Sequence, residues 1–469
     1  MCHKKDIKWI IIIFILTLIT IFNLTADPIY NHYKQGEIVC KLNPGQNIGE
    51  INAAYGTNIK GYQPQTDFYL LDIPPEQDPE NLSTIINNDP RVLSCSPNYF
   101  LNTPEGLQRS QPFLEVKTGE LDEQPAALTL DLVTVQTVTT GAGARVAVID
   151  GGVNFTHPEF ALYPGALVSR WDYIDSDAYA FDEPGGVSSG HGTFVAGITR
   201  MVAPESDIYV YRVLDTTGQG DGYSVSEAVL LAVEDSCDVI NLSLGMVNVN
   251  VALDEALKLA RQNDIMIIAA AGNDSTDDNS VFPFPASRTY SVTVTALDSL
   301  NIKADFANYG LRINVCAPGT HIIAPYLDTL YASWEGTSFA APFVTGLAAL
   351  LRAKNPDMLA DSIESLIYKT AESVDSLNPE YEGLLGSGLI DPMAALNYVP
   401  PLMVGDLNND NNIDITDIVY LIIFLYLDPT IPDPGQKADT NCDGVIDISD
   451  ITNIIGFLYL DGSDLCTVK

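Results

Sequence analysis

The sequence predicts an α/β protein built on a parallel sheet covered by helices on both faces. A small α+β domain precedes this sheet and a small all-α domain follows it. Three observations carry the prediction. The apolar runs RVAVID (145–150), DIYVYRVL (207–214), DVINLSLG (238–245) and DIMIIAAAGN (264–273) alternate with helical patterns, and near-continuous apolar strands belong to a parallel sheet buried on both sides. Residues 36–100 alternate shorter strand-like and helix-like pieces. Past Pro400 an acidic segment repeats with a period of 439 − 406 = 33.

Taken in order, Lys4, Lys5 and Lys8 precede the uncharged run Trp9–Leu24, and Leu24-Thr25-Ala26 supplies a small residue for cleavage. Residues 1–26 are therefore expected to be a removable secretory signal. The alternative is an uncleaved anchor, but the run is shorter than the ~20 residues a spanning helix needs. Residues 36–100 (GEIVCKL, DFYLLDI, PENLSTIINNDPRVLSCSPNYF) form the α+β module, and 101–124, rich in Pro, Glu, Gln and Gly, read as a linker. Residues 125–400 hold the parallel sheet. There Ser224-Val-Ser-Glu227 reads as a capping box opening a helix to Glu234, and 251–263 as a second amphipathic helix.

Composition narrows the function. Among 469 residues, 23 Lys plus Arg against 61 Asp plus Glu leave a formal charge of −38. Such a surface repels phosphate backbones and anionic membranes, which argues against nucleic acid as a partner. A hydrophobic share of 46% argues against disorder for most of the chain. Beyond the signal, six cysteines fall two, two and two along the chain. Pairs 40–95, 237–316 and 442–466 are possible, though spacing does not settle connectivity. None has the setting of a thiol nucleophile or a zinc site.

One constellation carries chemistry. Ser338, in EGTSFAAPFVTG (335–346), stands where a helix begins, with small Ala340 and Ala341 after it and Pro342 expected in the first turn. Taken alone, this serine is a helix cap; taken with a base, an orienting carboxylate and an oxyanion donor, it is a nucleophile. His191 stands between two glycines in SSGHGTFVAG, Asp150 ends a buried strand, and Asn273 ends another. In parallel sheets, chemistry collects at the carboxyl ends of strands.

VAVIDGGVNFTHPEF, GHGTFVAG, INLSLG, AAAGN and GTSFAAPFVTG, in this order, resemble the subtilisin-type serine peptidases over residues 125–400. The order Asp, His, Ser is that family's. The resemblance implies that Ser338 attacks the scissile carbonyl, His191 shuttles the proton, Asp150 fixes the imidazole and Asn273 stabilises the oxyanion. It also implies that Ser243-Leu244-Gly245 and Ala270-Ala271-Gly272 line the side-chain pocket, where an extended peptide substrate adds as a strand. Three positions depart from the family pattern: Gly151 stands where a hydroxyl residue is commoner, Phe343 where a His is frequent, and Asp274-Ser275 follow the AGN. With that family in place, residues 36–100 resemble its inhibitory prodomain, whose tail occupies the cleft until cut away within Leu101–Ala127. An unrelated N-terminal binding domain is the alternative.

The tail, 403–464, reads as two metal loops. Residues 403–469 contain twelve Asp, no Glu and two Lys, a local charge of 2 − 12 = −10. Asp406, Asn408, Asp410, Asp414 and Asp417 fall at positions 1, 3, 5, 9 and 12 of an EF-hand-like calcium loop. Asp439, Asn441, Asp443, Asp447 and Asp450 do the same, and Asn412 and Val445 offer position-7 carbonyls. One helix follows each loop, with apolar faces Ile418, Leu421, Ile422, Leu425 and Ile451, Ile454, Ile455, Leu458. This resembles the type I dockerin, which implies two calcium ions and a cohesin-type partner contacted near Ile415-Thr416 and Ile448-Ser449. The whole predicts a secreted, tethered zymogen peptidase that needs no cofactor for its chemistry. The rivals are an inactive adaptor of the same fold, or an active peptidase whose calcium tail has no cohesin partner.

Overall fold

The computed structural model describes residues 32–105, 111–115, 121–277, 283–398, 404–407, 412–427, 437–460 and 465–466. The proposed signal and the loop residues Asn408 and Asp410 lie outside them. The chain divides into two compact units, residues 1–396 and 397–469.

In the first unit the N-terminal module is β1 (Tyr33–Leu42), α1 (Ile48–Tyr55), β2 (Asn58–Gln63), β3 (Phe68–Asp72), α2 (Pro79–Asn87) and β4 (Val92–Asn102). Asn47 and Asp78 cap the two helices with side-chain oxygens. Its antiparallel sheet has the order β2-β3-β1-β4-β9. The last strand, β9 (Gln219–Asp221), belongs to the following α/β region, so the module's sheet continues into its neighbour. The supposed linker therefore begins as a strand: Leu101 and Asn102 end β4 instead of leaving the fold. A disulfide joins Cys40 to Cys95 across β1 and β4.

The central sheet holds seven parallel strands in the order β13-β12-β11-β10-β6-β8-β7. They are β6 (Arg145–Asp150), β7 (Leu167–Asp172), β8 (Asp207–Arg212), β10 (Val239–Leu242), β11 (Met266–Ala270), β12 (Val292–Leu297) and β13 (Val315–Pro318). Alternate strand residues feed two cores. Val146, Val148, Met266 and Ile268 pack with α3 (His191–Val202) and α6 (Thr337–Lys354) on one face. Ala147, Ile149, Ile240 and Ile267 pack with α4 (Gly222–Glu234) and α5 (Val251–Gln262) on the other. Chain order reverses beside β6, and in α/β sheets such a switch point, at the strands' carboxyl ends, is where ligands bind.

Two sequence expectations shift here. The helix to Glu234 starts earlier, capped by Asp221, whose carboxylate accepts from Ser224 N; the Ser224–Glu227 pattern sits inside it. Cys237 and Cys316 are buried free thiols rather than a bridge, because one precedes β10 and the other lies within edge strand β13.

In the second unit, α8 (Ile415–Ile422) and α9 (Ile448–Tyr459) pack Ile418, Leu421, Ile451 and Ile454 with Leu407 and Ala438. Ile422 stays largely outside this core at 37% exposure. The repeat is structural as well as textual. Asp417 accepts from Leu407 N and Asp414 N, and Asp450 from Thr440 N and Asp447 N, every partner displaced by the same period. Cys442 is bonded to Cys466.

Candidate active site

Asp150 ends β6 at the switch point, fully buried. Its Oδ1 accepts from Gly151 N at 2.7 Å and contacts His191 Nδ1 at 2.8 Å. Oδ2 has no hydrogen-bond partner among the described residues, in keeping with a glycine at 151 where a hydroxyl would have donated. His191 opens α3 behind Gly190, whose φ of 87° suits glycine and whose Cβ, were there one, would meet the Tyr326 ring at 2.1 Å. Asp182 braces this start. It accepts from Gly190 N, Thr193 N and Thr193 Oγ1 at 2.7–3.0 Å. Burial chiefly pushes its pKa up to about 7, against those donors and with the Asp150 charge adding to the rise.

Ser338 is the second residue of α6, so its N–H has no intrahelical acceptor. The helix boundary is Gly336, and Ser338 is no cap. Pro342 is consequently the sixth residue, inside the helix instead of in its first turn. Lacking an N–H, it cannot bond the carbonyl of Ser338 four residues back. Ser243 Oγ donates to that carbonyl instead, at 2.8 Å. Ser243, expected as pocket wall, thus has a bracing role.

Asn273 is pinned by its oxygen: Oδ1 accepts from Thr337 N at 3.0 Å and Thr337 Oγ1 at 2.8 Å. Thr337 Oγ1 in turn accepts from Gly272 N. This orients Nδ2 toward the space in front of Ser338. Ala271 and Gly272 are held by Val294 and Asn308, buried Ala270 lies in β11, and buried Leu244 packs in the second core.

That space holds Glu105. Its Oε1 accepts from Asn273 Nδ2 at 2.8 Å, and its Oε2 accepts from Ser338 Oγ at 2.6 Å and lies 3.2 Å from His191 Nε2. Gly336 makes the room, since a Cβ there would meet Glu105 Oε1 at 1.8 Å. The carboxylate stands between serine and imidazole, so Ser338 donates to it rather than to His191. Burial by itself would lower the His191 pKa, but the charges and hydrogen bonds of Asp150 and Glu105 raise it to about 10. Upstream, Asn102 exchanges two backbone hydrogen bonds with Gly245, and Thr103 N donates to Gly218 O. Residues 100–103 thus lie as a strand between β9 and Gly245, the edge the sequence singled out for peptide binding.

Glu105, Thr337 and Asp182 escaped the sequence reading. Thr337 could have been found as the neighbour of Ser338; the other two carry no local signal.

In the tail, Asp439 accepts from Asp443 N and Gly444 N, and Asp447 caps α9 through Ser449 N. Hydrogen bonds from Thr416 and Ser449 hold the Asp414 and Asp447 carboxyls below the usual range. Among the described residues, no group of three or more acidic, His or Cys side chains is gathered closely enough to hold a metal ion. The donor set of these loops, oxygen alone, fits a hard divalent cation.

A parallel α/β sheet presenting serine, imidazole, carboxylate and amide side chains at its switch point is a framework for nucleophilic acyl transfer. Residues 141–388 match the Subtilase family, 404–459 the type I dockerin domain and 25–98 the fervidolysin N-terminal prodomain. Thermitase of Thermoactinomyces vulgaris is 34% identical over 271 residues, covering 56% of this chain and 91% of the relative. Subtilisin Savinase of Lederbergia lenta is 33% identical, covering 55% and 91%. The thermophilic serine proteinase of Bacillus sp. (strain AK1) is 30% identical over 385 residues, covering 78% and 88%. Among solved structures, fervidolysin from Fervidobacterium pennivorans, described as a keratinolytic enzyme related to subtilisin, matches in fold with a TM-score of 0.66 at 20% identity. That match covers 81% of this chain and 63% of fervidolysin. The chain belongs to the subtilase family: it is a subtilisin-type serine peptidase with an N-terminal prodomain and a type I dockerin domain.

Proposed function

We propose that this chain is a secreted zymogen endopeptidase working through Asp150, His191 and Ser338, and tethered through its dockerin. The observation that carries the reading is the convergence of Ser338, His191 and Asn273 on one carboxylate, with Asp150 on the far side of the imidazole.

With a peptide in place of that carboxylate, Ser338 Oγ attacks the scissile carbonyl and His191 Nε2 takes its proton. Asp150 holds the Nδ1–H tautomer and steadies the imidazolium. The developing oxyanion is received by Asn273 Nδ2 and the Ser338 N–H at the helix N-terminus. His191 returns the proton to the leaving amine, and water then releases the acyl group by the same steps in reverse. A substrate would bind as residues 100–103 do, between β9 and Gly245.

The domains are residues 1–26 (signal), 36–100 (prodomain), 101–124 (processing region), 125–400 (peptidase) and 403–464 (dockerin). Asp406, Asn408, Asp410, Asn412, Asp414 and Asp417, with their counterparts from Asp439 to Asp450, would hold two calcium ions that order the tail. Exposure of Ile415 and Ile448, at 56% and 60%, supports their contact with a cohesin-type partner on a scaffold or surface. Among the described residues no helix is long and apolar enough to cross a membrane.

Ser338→Ala tests the core of this reading. The variant should lose peptide hydrolysis and labelling by a fluorophosphonate probe, and should keep its prodomain uncut. Hydrolysis at the wild-type rate would overturn it.

A further inference from the structure

We infer that Glu105 is an acidic plug, whose side-chain carboxylate sits in the oxyanion site and slows every reaction of the uncut chain, its own processing included. The inference rests on the catalytic roles given above to Ser338, His191 and Asn273.

The path of the backbone is the first argument. Residues 100–103 run through the cleft as an added strand, and the Thr103 N–H makes the last backbone bond, to Gly218. Pro104 has no N–H to continue the ladder, and Pro104 and Glu105 take up helical backbone. The chain therefore turns off the extended path beside Ser338. Among the described residues, what meets the serine hydroxyl from this segment is the Glu105 side chain.

The second argument is the company the carboxylate keeps. Glu105 is 1% exposed, and an isolated buried carboxylate is costly. Here three side-chain groups compensate it: the Asn273 amide on Oε1, and the Ser338 hydroxyl and His191 imidazole on Oε2. These are the groups assigned to the reaction itself. The plug thus takes the place of the oxyanion and resembles the acid that peptide hydrolysis leaves behind.

The third argument is protonation. His191 meets a carboxylate oxygen at each ring nitrogen, Asp150 Oδ1 at 2.8 Å and Glu105 Oε2 at 3.2 Å. A carboxylate oxygen at each nitrogen favours the doubly protonated ring, in which both nitrogens donate, and the raised His191 pKa agrees with that geometry. A base that already carries its proton cannot take one from Ser338. The plug blocks the nucleophile and disarms the base together. Because it is a side chain near the start of the processing region, any cut after residue 105 leaves it joined to the prodomain and seated. Release requires the 100–103 strand to leave the cleft.

A small fluorophosphonate separates plug from strand, because it needs only Ser338 and the oxyanion site, not the peptide cleft. The full-length secreted chain is labelled at pH 8 and resolved by gel, so that uncut and mature bands are read apart. On the uncut band, Glu105→Ala should label at least about tenfold faster than wild type. Glu105→Gln should fall between, since its amide keeps an acceptor for Asn273 but cannot balance the imidazolium. Equal labelling of uncut wild type and Glu105→Ala, beside a mature band that labels fast, overturns the plug and leaves the catalytic reading standing. A mature band that never labels overturns the catalytic reading, and the plug with it. Should Glu105→Ala misfold, 15N-histidine spectra of the uncut Ser338→Ala chain decide: His191 doubly protonated at pH 8 with Glu105, and neutral with Glu105→Gln. A neutral ring in both overturns the proposal.

Discussion

Asn273 offers the sharpest quantitative test of the site. Its amide nitrogen reaches Glu105 Oε1, at the position proposed for the oxyanion, while its oxygen accepts from two Thr337 donors. Asn273→Ala therefore removes two things. Loss of one oxyanion donor costs about 10²–10³ in turnover, ~2.7–4 kcal/mol, a range established on subtilisin itself. The donor acts on charge that appears only in the transition state, so kcat should carry the loss and KM should barely move. Separately, fully buried Thr337 would keep an N–H and an O–H with no acceptor, at about 1–3 kcal/mol for each orphaned group, which should lower Tm by several degrees. Asn273→Asp keeps the oxygen and loses the donor, so it should show the kcat loss without those orphans. The assay is hydrolysis of a chromogenic peptide by the mature enzyme, with active sites counted by burst titration, beside a calorimetric Tm. A kcat loss below about tenfold in both variants, or a loss confined to KM, would refute the assignment.

Other tests follow from the same geometry. Burial lowers the His191 pKa, but Asp150 first and then Glu105 of the seated segment raise it to about 10, so the seated Glu105 carries only part of the rise. Stabilisation of the plugged state should thus be complete below the pKa of the unplugged ring, which still faces Asp150, and fade as pH climbs through about 10; prodomain release should rise as pH approaches that value, and a flat profile would contradict it. Leu101 is fully buried in the second core, so Leu101→Ala should cost ~2–5 kcal/mol of prodomain docking, read as at least a tenfold faster release at neutral pH. Calcium chelation should raise hydrogen exchange in α8 and α9 while leaving fluorophosphonate labelling of the mature enzyme unchanged; protected helices in chelator would argue against metal-dependent folding of the tail.

Much of the active site was legible because its residues sit in runs with local grammar. Asp150 ends an apolar strand, His191 and Ser338 open helices, and Asn273 closes another strand, so each was placed by its own neighbours. The two acidic loops were legible through repetition, and the structure repeats the same carboxylate-to-backbone bonds in both halves. Elsewhere a local pattern misled. Ser224 and Glu227 form a plausible cap, but Asp221, held also by Asn98 from the prodomain strand, is the one that caps. Pro342 looked like a first-turn proline until the helix start at Thr337 put it inside, with Ser243 supplying the missing donor.

By itself the sequence determined the sheet, its order of chemical groups and the repeated acidic loops, since these rest on periodicity and spacing along the chain. Only the tertiary structure decided what stands in front of Ser338. Glu105 lies 233 residues away from that serine, in a stretch with no periodicity, and its role exists only where three distant segments close around one carboxylate.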